Sequence, residues 1–186
     1  MKRRTLLLGG GGLVAMGVAG FVAWRESSLR APQANRAVSQ PNAASSPPDL
    51  EAFYASHLPD SKGRDTALES FRGDALLINF WATWCPPCVA EMPELEALSK
   101  SFNHVQFVGI AIDTAANVNK FLTNIPVSYP ILVAGHRGID LVRAMGNPVG
   151  GLPYTVLVTS GGRVNEQILG QVHADTLTQQ LQRLVA

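Results

Sequence analysis

Ala75-Leu76-Leu77-Ile78-Asn79-Phe80-Trp81-Ala82-Thr83-Trp84-Cys85-Pro86-Pro87-Cys88-Val89-Ala90-Glu91-Met92-Pro93-Glu94-Leu95-Glu96-Ala97-Leu98 is the stretch on which the fold turns. Its first seven residues form an apolar run of strand length, which reads as a buried strand. From Val89 onward the apolar positions recur near helical spacing. The two cysteines of the chain both lie at the junction, three residues apart. This spacing predicts a strand that turns into a helix, with Cys85 at or near the N-cap and Pro86 on the first helical turn, where a missing N–H costs nothing.

The junction also predicts chemistry. Unpaired N–H groups and the macrodipole at a helix start favour an anion, so a thiolate on Cys85 is stabilised and its pKa falls below the free value of about 8.5. Cys88 lies on the same helix face, within reach of a sulfur on Cys85. Two thiols this close suit a swap between dithiol and disulfide better than a metal site, which would recruit further cysteines or paired histidines. His57, His104, His136 and His173 show no ligand spacing, and no metal or cofactor is expected. Glu91 lies three residues beyond Cys88 and neighbours it on the helix. It reads either as a partner of the thiol or as a solvated side chain near the helix start.

The bulk numbers bound the rest. The chain has 186 residues, a net charge of +1 and 46% hydrophobic residues. That is enough for one domain with an appendage, and it carries no nucleic-acid footprint. Lys2-Arg3-Arg4 precede an uncharged run from Thr5 to Trp24. This run is about 20 residues long, the length of a membrane span, and its flanking charge predicts N-in topology. Two readings compete for residues 1–24, a retained signal-anchor and a cleaved signal peptide. The best small-x-small site, Gly17-Val18-Ala19, lies inside the run, which favours the anchor, while six glycines in the run weaken its helix propensity. Residues 25–48 are rich in Ala, Pro, Ser, Asn and Gln and read as a disordered linker. The folded domain is expected over residues 49–186.

Within it, Phe53 to Leu58 reads as a first strand. Pro59-Asp60-Ser61-Lys62-Gly63 follows as a turn, and Arg64 to Leu68 returns as a second strand to make a hairpin. After the active-site helix, which runs to about Phe102, come a strand over Val105 to Ile112 and a helix over Thr114 to Thr123. A short strand over Tyr129 to Val133 and a short helix over Gly138 to Met145 come next. A hairpin of Tyr154 to Thr159 with Arg163 to Leu169 leads to an amphipathic helix over Ala174 to Val185. Strands alternating with helices and closing on a hairpin imply an α/β domain, a mixed central sheet with helices on both faces.

The segment Leu77 to Cys88 resembles the active-site segment of the thioredoxin superfamily. The continuation Glu91-Met92-Pro93-Glu94-Leu95 is similar to the TlpA-like branch, which includes proteins of the ResA and DsbE types. The resemblance spans roughly residues 50 to 186. It implies a thioredoxin-like fold with an N-terminal hairpin and a central helix-strand insert over about Asp113 to Val133. It implies a redox-active disulfide between Cys85 and Cys88, with Cys85 as nucleophile. Cys88 would be the more buried sulfur and would need a proton acceptor, a role that a glutamate at the position of Glu91 is linked to in that branch. Many thioredoxins carry a buried acid where this chain has Asn79, and an amide cannot accept a proton in that way. Pro153 would be cis, Leu152 would offer its backbone to an extended substrate, and Trp84 would flank the thiolate, with Trp81 in the core. The stretch Met145-Gly146-Asn147-Pro148-Val149 is slightly longer than the usual branch pattern.

By the same resemblance the protein would be a thiol-disulfide oxidoreductase, and it is expected to be a monomer. It would be tethered to the inner membrane with its domain in the periplasm, or soluble there if the signal is cleaved. It would reduce disulfides of exported proteins such as apocytochrome c and take electrons from a membrane donor of the DsbD or CcdA type. Two alternatives stand beside this. One is the opposite direction, a disulfide oxidase or isomerase. The other is a copper metallochaperone, for which soft thiolates are suitable but a third ligand is missing.

Overall fold

The computed structural model describes residues 47–186. The expected anchor or signal over 1–24, and all but the last two residues of the expected linker, lie outside them. Among the described residues no helix is long and apolar enough to cross a membrane.

The first element is a short helix, α1 (Leu50–Tyr54), and not the start of a strand. The expected strand over Phe53 to Leu58 is corrected to this helix followed by β1 (His57–Pro59). Leu50, Phe53 and Tyr54 recur at helical spacing, and all three pack into the same core, as one face of a helix does and neighbours on a strand do not. Asp49 begins the helix by accepting a hydrogen bond from the Ala52 N–H at 2.9 Å. The hairpin itself is present: β1 pairs antiparallel with β2 (Asp65–Ala67). Asp60 shapes its turn, where Oδ1 accepts from the N–H groups of Lys62 and Arg64.

The remaining elements follow the expected order with small changes at their ends. They are β3 (Ala75–Trp81), α2 (Pro86–Ser101), β4 (Val105–Ala111), α3 (Ala115–Asn124), β5 (Ile131–Val133), α4 (Ile139–Ala144), β6 (Tyr154–Val158), β7 (Val164–Leu169) and α5 (Ala174–Leu184). The five-stranded sheet has the order β5-β4-β3-β6-β7. β3 runs parallel to β4 and antiparallel to β6, so the sheet is mixed. The helix α3 and strand β5 form the expected insert, with β5 extending the sheet beside β4.

β3 is buried along its whole length, and its side chains alternate between two cores. Leu77 and Trp81 join Met92 and Leu95 of α2 and Leu177 and Leu181 of α5 on one face. Leu76, Ile78 and Phe80 join Phe53 of α1 and Val142 of α4 on the other. Helices therefore cover both faces. Each face hides the apolar surface that a strand so uniformly apolar must bury on both sides. Register then places polar residues. Asn79 lies opposite Gly109 of β4 and Thr155 of β6, so one row across the middle of the sheet faces α2.

Candidate active site

Cys85 is the N-cap of α2 in extended conformation, and Pro86 and Pro87 occupy the first two helical positions. Two missing N–H groups fall where a helix has no internal acceptor for them. The Cys85 N–H donates to Ala82 O at 3.3 Å, and the Val89 N–H donates to Cys85 O at 3.1 Å, which joins the strand end to the helix. Cys85 and Cys88 are bonded as a disulfide, with Cα atoms 5.3 Å apart. Cys88 is fully buried and Cys85 retains a sliver of exposure, the order expected of a resolving and an attacking sulfur. Trp84 beside them is 60% exposed, whereas Trp81 is wholly buried against Phe121.

Glu91 is not solvated. It is completely buried, and each oxygen has one donor. Asn79 Nδ2 donates to Oε1 at 2.8 Å, and the Val172 N–H donates to Oε2 at 2.9 Å. Burial pushes this carboxyl up to about 7, against the two hydrogen bonds, which favour the charged form. Asn79 Nδ2 also donates to Thr155 Oγ1 at 3.1 Å. The amide that sequence reading treats as a lost proton acceptor is therefore the donor that holds the glutamate. Its signal was present: Asn79 and Thr155 are each the polar exception in an otherwise apolar strand.

Two further residues escaped sequence reading. Asp113 lies two residues beyond β4 and is buried. It accepts from the Thr83 N–H at 3.1 Å, from the Thr83 hydroxyl, from the Thr114 N–H at 2.7 Å and from Asn117 Nδ2 at 2.7 Å. Burial works to raise the Asp113 carboxyl, but these donors outweigh it and leave the group below the usual carboxylate range. The segment before Cys85 is thereby fastened to the start of α3. The other residue is Asn147, buried in the loop before β6. What marked it in the sequence was the turn character of Asn147-Pro148 and the length of the stretch from Met145 to Val149, which could reshape the substrate groove.

The Leu152–Pro153 bond is cis, as expected. Pro153 is buried and Leu152 half-buried, and the Gly170 N–H donates to Pro153 O at 2.9 Å. Val149 and Leu169 are exposed at 65% and 51%, and both flank Gly151. Of the histidines, His57 Nδ1 contacts Asp65 Oδ2 at 2.8 Å on the hairpin, and His173 precedes α5 as its N-cap. Among the described residues no group of three or more His, Cys, Asp or Glu side chains could hold a metal ion.

A dithiol-disulfide pair at a helix start, under a mixed sheet covered on both faces, defines a thiol-disulfide oxidoreductase of thioredoxin-like fold. The comparisons agree. The chain belongs to the Redoxin family, whose model matches residues 35–181. It is 32% identical over 130 residues to thiol-disulfide oxidoreductase ResA of Geobacillus thermodenitrificans, covering 68% of this chain and 72% of that protein. Among solved structures it is similar to a thioredoxin-related protein from Neisseria meningitidis serogroup B. That match has TM-score 0.62 and 35% identity, over 68% of this chain and 97% of the other. A thiol:disulfide interchange protein of the thioredoxin family from Chlorobium tepidum matches with TM-score 0.62 and 25% identity, over 70% and 93% of the two chains.

Proposed function

We propose that this oxidoreductase works outside the cytoplasm as a reductant of disulfides in exported proteins, with apocytochrome c as the candidate substrate. The observation that carries the reading is the buried Glu91 beside the buried Cys88 turn, supported by the similarity to ResA. In the reducing direction the Cys85 thiolate attacks one sulfur of the partner's disulfide and expels the other, giving a mixed disulfide. Cys88 loses its proton and attacks the Cys85 sulfur. The partner leaves with both sulfurs reduced, and the Cys85–Cys88 disulfide seen here is the oxidised product. Glu91, poised near neutrality, is the acceptor for the Cys88 proton. Trp84, Leu152 and Pro153 form the landing place, and the exposed apolar Val149 and Leu169 suit an extended polypeptide. A membrane dithiol donor of the DsbD or CcdA type would reduce the disulfide again. The apolar run over residues 5–24 would tether the domain to the inner membrane, facing the periplasm.

Direction is decided by potential. Equilibrating the full chain in mild detergent with glutathione and dithiothreitol should give a value near or below about −250 mV, on the thioredoxin side of the scale. A value above about −150 mV would make the protein a disulfide donor and end the reductant reading. As a second test, the reduced protein should reduce an apocytochrome c whose C-x-x-C-H cysteines are paired.

A further inference from the structure

Asn79 and Asn147 are the two buried asparagines among the described residues. Asn79 belongs to the Glu91 cradle, and Asn147 has no part in the thiol chemistry. It stands in the loop between α4 and β6, and its own N–H donates to Val142 O at 3.2 Å. Its Oδ1 accepts from the Gly150 N–H at 3.1 Å, and its Nδ2 donates to Gly151 O at 2.8 Å. Tyr154 closes the other side of the loop by donating its hydroxyl to Met145 O at 2.7 Å. Gly150 completes the fold of this loop at φ +66°, packed so near α4 that a Cβ would come within 2.8 Å of Ile139 Cδ1. Only glycine meets both demands.

The consequence falls on the next peptide unit. The Gly151–Leu152 bond is trans, so its C=O and N–H lie in one plane and point opposite ways. Asn147 draws the Gly151 carbonyl inward, which turns the Leu152 N–H away from the loop interior. The Leu152 N–H and C=O have no hydrogen-bond partner among the described residues. Leu152 is half-buried, precedes the cis proline and packs against the core that holds Cys85 and Cys88, so its unpaired N–H and C=O form an edge open to the backbone of another chain.

We propose that Asn147 is a positioning residue for substrate: it sets the Gly151–Leu152 peptide so that the Leu152 N–H meets a backbone carbonyl of an extended polypeptide. This rests on the reading of Leu152 as part of the substrate edge. Asn147 then governs how well a polypeptide is held, and not the redox chemistry. Asn147→Asp is the decisive change. It keeps the size and the acceptor for Gly150, and replaces the donor to Gly151 with a carboxylate oxygen that repels the carbonyl.

The test uses the full chain in mild detergent, with dithiothreitol as electron source and a short synthetic peptide closed by one Cys-x-x-Cys disulfide. In Asn147→Asp the KM for the peptide should rise about tenfold while kcat stays within about twofold, with the Cys85–Cys88 potential unchanged. A KM within about twofold of the parent in the folded variant overturns the proposal, and so does a loss carried by kcat or a shifted potential. A second measurement leaves Asn147 untouched. In Cys88→Ser, the peptide trapped on Cys85 should slow hydrogen exchange at the Leu152 amide, and an unchanged rate there overturns the proposal. A parent protein that fails to reduce the peptide at all removes the substrate-edge reading itself, whereas a normal parent with an indifferent variant removes only the role of Asn147.

Discussion

Glu91 occupies a place on α2 that packing would otherwise give to an apolar side chain, and its charge state is the sensitive quantity of the site. A carboxyl whose folded pKa lies above its ordinary value binds its proton more tightly in the native state. Its contribution is full below about 4.5 and drains as pH rises through about 7. The oxidised protein should therefore lose on the order of 3 kcal/mol across that window through this group. Urea midpoints at about pH 5 and about pH 8 would show it, and Glu91→Gln should remove most of the difference; an equal gap in both proteins would refute the assignment. Asn79 acts in the opposite sense to burial, because its amide donates to the charged form. Asn79→Ala should thus lift the Glu91 titration above about 7, read from the side-chain carboxyl carbon by NMR. A fall in that value would mean that water replaces the amide more effectively than the structure implies.

At the scale of elements, the active site is a strand end, a helix start and a loop that must keep their spacing. The strand–helix junction is held from outside by Asp113, which joins Thr83 to the start of α3. Removing a buried carboxylate leaves the Thr83 and Thr114 N–H groups and the Asn117 amide short of partners. Asp113→Ala should cost about 3 kcal/mol in denaturant unfolding, with Asp113→Asn costing less because one acceptor oxygen remains. An Asp113→Ala loss below about 1 kcal/mol would show that the clamp is dispensable. The same contact explains why α3 matters to a site it does not touch through sulfur: its first turn shares a carboxylate with the segment leading into Cys85.

At the scale of the molecule, two cores on either side of one sheet support the site. Both cores are built from residues within 47–186, and the surface ion pairs each have at least one well-exposed partner and add little. A fragment of residues 47–186 is expected to unfold in one transition, with fluorescence and circular dichroism midpoints that coincide, and to keep the potential of the full chain. Separate midpoints would show that the two sheet faces do not unfold as one.

Much of this architecture was legible beforehand because its signals are local. An apolar run reads as a strand wherever it lies, proline after cysteine marks a helix start, and Leu177, Leu181 and Leu184 recur at helical spacing on the face that α5 buries. The one misread element, Phe53 to Leu58, is short, and its apolar residues fit two periods until Asp49 caps one of them. The sequence by itself determined the order of elements from β3 onward, the Cys85–Cys88 pair at a helix start and Glu91 one turn beyond it. Tertiary structure alone decided what surrounds them. Asn79 and Val172 meet Glu91 from 12 and 81 residues away in sequence, and Thr155 meets Asn79 from 76. Asp113 reaches Thr83 across 30 residues. Such partners are chosen by sheet register and helix packing, which no local pattern encodes, and they decide whether a carboxyl beside a thiol stays charged.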